Sequence, residues 1–197
     1  MELPRLYAIA DLSRYGEPFL EKVERVLEKG VRMLQLRAKG LPARRLYELA
    51  KEVRALTRRY GALFIVNARA DAAAAVGADG VHLPEAGLPP EAVKRVFPNL
   101  LVGFSAHSLE SALEAQRQGA DFVTFSPVFR TASHPEAEPK GLEELKRVAE
   151  ALSVPVYALG GVTAGRVRDC LEAGAYGVAG IGLFLENSFN ISDLWTR

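Results

Sequence analysis

Two glycine-ended apolar runs decide how this chain is read: Ala158-Leu159-Gly160-Gly161 and, one helix length later, Gly177-Val178-Ala179-Gly180-Ile181-Gly182. Each finishes a strand-like segment in glycines and opens into a helical stretch, so each can bring bare backbone N–H groups close to an anion. In an eight-fold β/α barrel, the loops after strands 7 and 8 form the usual phosphate cradle. The pair predicts that Gly160, Gly161, Ile181 and Gly182 bind the phosphate of a small molecule.

Working outward, apolar runs recur at 5–10, 33–37, 63–67, 80–83, 101–105, 122–128, 154–160 and 177–181. Helical patterns at 43–60, 108–118 and 142–152 separate some of them, with apolar residues at three- and four-residue spacing such as Leu46, Leu49, Ala50, Val53 and Leu56. Near-continuous apolar strands imply a parallel sheet buried on both faces, and strict alternation makes the fold class α/β. A helix stop repeats three times. Val76-Gly77-Ala78-Asp79-Gly80-Val81, Gln118-Gly119-Ala120-Asp121-Phe122-Val123 and Ala173-Gly174-Ala175-Tyr176-Gly177-Val178 each turn a helix through a left-handed glycine straight into a strand. This repetition favours a (β/α)8 TIM barrel over a doubly wound open sheet, as a single domain spanning 1–197.

Composition sets the outer limits. The 197 residues are 49% hydrophobic and 25% charged, with a formal net charge of +1, which gives no electrostatic case for a nucleic-acid or membrane partner. One cysteine, Cys170, excludes an internal disulfide and a multi-cysteine metal site, and its helical context suits a buried position. No run approaches the ~20 apolar residues of a membrane span, and no signal-peptide pattern opens the chain, so a cytoplasmic location is expected. Two places break the rhythm. The polar segment 130–140, with Pro135 and Pro139, reads as a mobile lid or as a plain surface loop; its origin at the presumed active face favours the lid. Residues 186–197 are too short for a full final helix, which points to a homodimer in which a partner covers part of the barrel.

Barrel active sites lie at strand C-termini. There this sequence places Gln35, Arg37 and Lys39, then Asn67 and Arg69, His82, Ser105 and His107, Ser126, and Thr131 just beyond. Gln35 and Arg37 share a strand face, and an amide inside an apolar strand needs partners. Arg37 and Lys39 suit a second anion, the alternative being solvated loop charges. His82 reads equally as a satisfied core group or a ligand contact. His107 either faces the site or belongs to a helix start capped by Ser108, and His134 is either an exposed bystander or an acid or base delivered by the lid. No triad, P-loop or HExxH spacing is present, and no metal site is expected.

Taken in order, Gln35-Leu36-Arg37-Ala38-Lys39, Asn67-Ala68-Arg69-Ala70-Asp71, Ala78-Asp79-Gly80-Val81-His82-Leu83, Ser105-Ala106-His107-Ser108-Leu109-Glu110, Pro127-Val128-Phe129-Arg130-Thr131 and Ala158-Leu159-Gly160-Gly161-Val162 resemble the thiamin phosphate synthase and TenI superfamily from Leu6 to about Phe184. The resemblance implies a barrel that holds a thiazole phosphate at its Gly-Gly and strand-8 loops. Its synthase branch joins a pyrimidine pyrophosphate to that thiazole phosphate with Mg²⁺. The acidic residues implied for the metal fall on Ala68 and Gly87 here, and the implied strand-6-loop lysine on His134. Leu83-Pro84 and the Arg95–Leu100 stretch resemble the TenI-like branch, whose known activity is thiazole tautomerase, a metal-free proton relocation that makes the ring aromatic. That branch can carry a histidine in its strand-6 Gly-His-Val-Phe run, whereas Ser126-Pro127-Val128-Phe129 is synthase-like, as are Gln35, Arg37, Lys39 and His82.

The expected function is therefore thiazole tautomerase without a cofactor, His107 or His134 moving the proton while Ser105 and Thr131 orient the substrate carboxylate. A synthase with an altered metal site, using Mg²⁺, and a non-catalytic thiazole-phosphate-binding regulator are the alternatives. Chelator sensitivity separates the first two, and binding without turnover marks the third.

Overall fold

Eight short apolar segments become eight parallel strands, β1 Leu6–Asp11, β2 Met33–Arg37, β3 Leu63–Asn67, β4 Gly80–Leu83, β5 Leu101–Ala106, β6 Phe122–Phe125, β7 Val156–Ala158 and β8 Gly177–Gly180. Each pairs with its neighbours in chain order, and β8 returns to β1 (Leu6 beside Val178, Ala8 beside Gly180), closing the barrel. Helices α1 Leu12–Tyr15, α2 Phe19–Glu28, α3 Ala43–Arg59, α4 Ala70–Ala75, α5 Pro90–Val96, α6 Leu109–Arg117, α7 Gly141–Ala151 and α8 Val167–Glu172 lie between the strands. The computed structural model describes residues 2–131, 135–185 and 191. The expected lid residue His134, and all but one position of the 186–197 segment, fall outside the described residues.

The repeated helix stop does structural work. Gly77, Gly119 and Gly174 take φ of 63°, 91° and 94°, and the following alanine N–H in each case reaches back to a helical carbonyl. In two copies the next residue is an aspartate that caps the preceding strand. Asp79 Oδ2 accepts from Phe64 N at 2.7 Å and pairs with Arg54 on α3; Asp121 Oδ2 accepts from Val102 N at 2.7 Å and pairs with Lys94 on α5. The sequence repeat is thus a device for locking helix to strand at the end of the barrel remote from the site.

Strands β6 and β7 are shorter than the apolar runs suggest. Pro127 and Pro155 cannot donate to a ladder, and Gly160 at φ 93° leaves extended geometry. The barrel interior is layered. Tyr7, Phe122 and Tyr157 meet edge-on with ring centroids 5.6–5.7 Å apart, packed with Met33 and Ile65. Such pairs add about 0.5–1.5 kcal/mol each beyond their buried area. One step nearer the strand C-termini the interior turns polar: Gln35, His82 and Thr124 are all buried there. Gly103 makes room at this transition, because a Cβ would meet the Phe122 ring and sit 2.6 Å from His82 Nδ1. Cys170 is buried on α8, and burial pushes its thiol up to about 11, so it packs rather than reacts.

Candidate active site

At the C-terminal mouth of the barrel a cavity of about 450 Å³ is lined by Gln35, Arg37, Lys39, Asn67, Ser105, His107, Thr131, Gly160, Gly161, Ile181 and Gly182. The described candidates from the sequence therefore reach one space, except Arg69, which pairs with Asp71 and does not line it. Its two sides are built differently.

On the β7–β8 side the wall is backbone. Gly160 and Gly161 take φ of 93° and 64°; a Cβ on Gly160 would lie 2.8 Å from Pro127 Cα, and one on Gly161 would overlap the Arg130 carbonyl. The close approach exists because the segment after β6 is strapped onto this loop: Val128 N donates to Leu159 O at 2.9 Å and Phe129 N to Gly160 O at 3.0 Å. Arg166 fastens it from outside, donating to Gly161 O at 2.9 Å while stacking 4.6 Å over the Phe129 ring. Across from it, Gly182 opens a short 3-10 turn (Gly182–Phe184) with empty space where a side chain would stand, so a ligand can come up to the main chain.

On the β1–β5 side the wall is side chains. Asp11, at the end of β1, was not among the expected site residues and reshapes the reading of Arg37. Its carboxylate accepts from Ser13 Oγ at 2.5 Å and from the Ser13 and Arg14 N–H groups at 3.0 and 3.1 Å, and it pairs with Arg37 Nη1. Burial alone would raise this carboxyl; the bonds from Ser13, Arg37 and Arg14 outweigh it and hold the group below the usual carboxylate range. Arg37 is thus partly neutralised and aimed by one of its donors, while it still lines the cavity. Arg14, exposed on α1, also lines the cavity and joins Lys39 there as a cation. The strand-end rule applied to β1 would have found both Asp11 and Arg14.

Beneath the cavity floor lies a buried polar chain. Gln35 Nε2 donates to Tyr7 Oη at 2.7 Å; Tyr7 Oη lies 3.2 Å from His82 Nδ1; His82 Nε2 lies 3.0 Å from Ser105 Oγ and 3.3 Å from Thr124 Oγ1. Burial drives the His82 imidazole down to about 3, so it is neutral at physiological pH and serves the floor as a hydrogen-bonded group. His107 has the complementary arrangement. Its Nδ1 lies 2.8 Å from the Ser126 carbonyl oxygen, which can only accept, so Nδ1 carries a proton and the neutral ring keeps its lone pair on Nε2.

The model of the thiamine monophosphate synthase family (TMP-TENI) matches residues 6–184. The chain belongs to this family. Among its relatives, "Putative thiamine-phosphate synthase 2" of Aquifex aeolicus is 63% identical over 94% of this chain and 100% of the relative. "Thiamine-phosphate synthase" of Pyrococcus furiosus is 43% identical over 89% of this chain and 84% of its own. A solved thiamine phosphate pyrophosphorylase from Pyrococcus furiosus superposes with a TM-score of 0.85 at 41% identity, covering 93% of this chain and 88% of that one. These matches make the chain a thiamin-biosynthesis enzyme of the TMP-TENI family. The relatives bear synthase names, so on names they weigh toward the coupling activity over the tautomerase expected from the sequence.

The Mg²⁺ of the coupling reaction can be tested against the donors present. Glu85 is the one carboxylate among the described residues lining the cavity, and Asp11 is engaged by Ser13 and Arg37. Among the described residues no three His, Cys, Asp or Glu side chains are grouped to hold an ion. Ala68 occupies a backbone with φ 61°, a left-handed position that Asp or Asn tolerates better than Ala, yet it offers no side-chain oxygen. This donor set offers no all-protein cage for a dication, and Glu85 is the carboxylate that would hold Mg²⁺ together with the phosphates of a bound substrate. No helix among the described residues is long and apolar enough to cross a membrane.

Proposed function

We propose that this TMP-TENI enzyme binds a phosphorylated thiazole and moves a proton on it, acting as a thiazole tautomerase. The observation that carries the reading is the pairing of a cavity with one carboxylate among its described lining residues and a histidine whose Nδ1 proton is fixed on the Ser126 carbonyl. In this reading phosphate rests on the Gly160-Gly161 and Ile181-Gly182 backbone, and the ring extends into the cavity that His107 and Ser105 also line. His107 Nε2 accepts the proton from the ring carbon; the imidazolium, stabilised by the Ser126 carbonyl, returns it to the exocyclic carbon. Atoms balance without a co-reactant, and the gain of aromaticity supplies the driving force. Thr131 and Lys39 line the cavity where a ring carboxylate would be held.

A second reading, coupling of a pyrimidine pyrophosphate to the thiazole phosphate, is favoured by the names of the relatives and by 43% identity to the Pyrococcus furiosus synthase. One experiment decides. The protein is assayed with the non-aromatic thiazole carboxylate phosphate in chelator, following the aromatic chromophore, and in parallel with both coupling substrates and Mg²⁺. Chelator-resistant aromatisation lost in His107→Gln supports the tautomerase. Metal-dependent coupling without aromatisation replaces it with the synthase, and ligand binding with neither reaction indicates a regulator.

A further inference from the structure

The buried chain under the cavity has a direction, set at its deepest member. The Gln35 Nε2 amide donates to Tyr7 Oη, so the phenol oxygen is used as an acceptor and its own proton is free to point onward. Burial holds that phenol protonated, well above its ordinary range. The next group within reach is His82 Nδ1 at 3.2 Å. A neutral imidazole has one donor and one acceptor nitrogen. If Nδ1 accepts from Tyr7, then Nε2 must carry the hydrogen, and it is Nε2 that faces Ser105 Oγ at 3.0 Å and Thr124 Oγ1 at 3.3 Å. Ser105 then receives a hydrogen bond from below, and its single proton is left for the cavity that it lines.

We infer that Gln35, Tyr7 and His82 form a one-way hydrogen-bond chain that fixes His82 as its Nε2–H tautomer and makes Ser105 a dedicated donor to an anionic oxygen of the bound ligand. Under the function proposed above, on which the ligand assignment rests, that oxygen belongs to the ring carboxylate. Tyr7 and His82 are positioning residues; Ser105 is the group that touches ligand. The chain gives a buried tyrosine and a buried neutral histidine hydrogen-bond partners along the line from Gln35 to Ser105.

The test has two independent parts. Long-range ¹H–¹⁵N NMR of the ligand-free protein reports which His82 nitrogen is protonated, whatever the enzyme acts on. The expected signal is a single Nε2–H tautomer in the wild type, giving way to a mixture in Tyr7→Phe, which keeps the ring and removes the donor. An Nδ1–H signal in the wild type, or an unchanged Nε2–H signal in Tyr7→Phe, overturns the inference. Titration calorimetry then compares the aromatic thiazole carboxylate phosphate with its decarboxylated counterpart. Ser105→Ala is expected to weaken the carboxylated ligand roughly tenfold and the other less than twofold, in keeping with a hydrogen bond to a charged group. Equal losses for both ligands overturn the donor role. Failure of the wild type to bind either ligand overturns the functional reading instead, while the tautomer signal still decides the direction of the chain.

Discussion

Under the proposed function, the two sides of the cavity recognise anions by opposite means. On the β7–β8 side the main chain itself is the binding surface, and Gly160, Gly161 and Gly182 matter for the side chains they lack. On the β1–β5 side recognition depends on side chains whose properties are set by partners: Arg37 by Asp11, His107 by the Ser126 carbonyl, Ser105 by His82. A backbone surface tolerates almost no substitution. A side-chain surface degrades in steps, each change removing one donor or one charge.

The largest effect should therefore come from the backbone side. Gly161→Ala forces a Cβ into the Arg130 carbonyl at φ 64°, and should abolish measurable calorimetric binding of the thiazole phosphate while lowering stability by about 1–3 kcal/mol. Gly165→Ala, with open space at its Cβ, should do neither; similar behaviour of the two variants would break the comparison. Next comes His107→Gln, expected to lower the aromatisation rate about 10²–10⁴-fold with ligand affinity nearly intact. Equal loss of rate and affinity would make His107 a binding residue.

The buried histidine gives a pH signature. Its folded-state value near 3 lies below the ordinary 6.5, so only the unfolded chain takes up the proton between those limits. The contribution of His82 to stability is fully present above about 6.5 and is lost progressively as pH falls below that value toward 3. Urea midpoints at pH 7 and pH 5 should diverge in the wild type and draw together in His82→Asn. Asp11 contributes in a lower window: its depressed carboxyl supports the fold above the ordinary carboxylate range and loses that contribution on further acidification. The smallest expected effect is Ala68→Asn, a gain of about 0.5–1 kcal/mol from a residue that accepts φ 61°, read as a higher urea midpoint.

The backbone side was the more legible in sequence, for a physical reason. Glycine at the end of an apolar strand has few explanations, so Gly160-Gly161 announced the end of β7 and the backbone-lined wall of the cavity beside it. The apolar runs gave the remaining strands because a parallel barrel buries both faces of each. What one dimension concealed were relations between distant residues. Arg37 reads as a free guanidinium until β1 is placed beside β2 and Asp11 arrives next to it. Tyr7 reads as one more core aromatic, and only closure of the barrel brings its hydroxyl to Gln35 and His82, 28 and 75 residues away in sequence. The expected relation to the tautomerase branch rested on missing carboxylates at Ala68 and Gly87, on His134 in place of a lysine, and on the Leu83-Pro84 and Arg95–Leu100 stretches, features the names of relatives do not weigh.

Closure also has a consequence for how the molecule is made. Strand β1 is flanked by β2 and β8, and the segment before it is held by Tyr157 Oη on Pro4 O and Tyr176 Oη on Leu3 O, partners 153 and 173 residues further along the chain. On the ribosome the first strand emerges long before its second neighbour, so a nascent barrel carries an open edge until β8 has been made. A stall or cleavage just short of β8 would release seven-eighths of a barrel with two unpaired strand edges, a species built to pair with another of its kind.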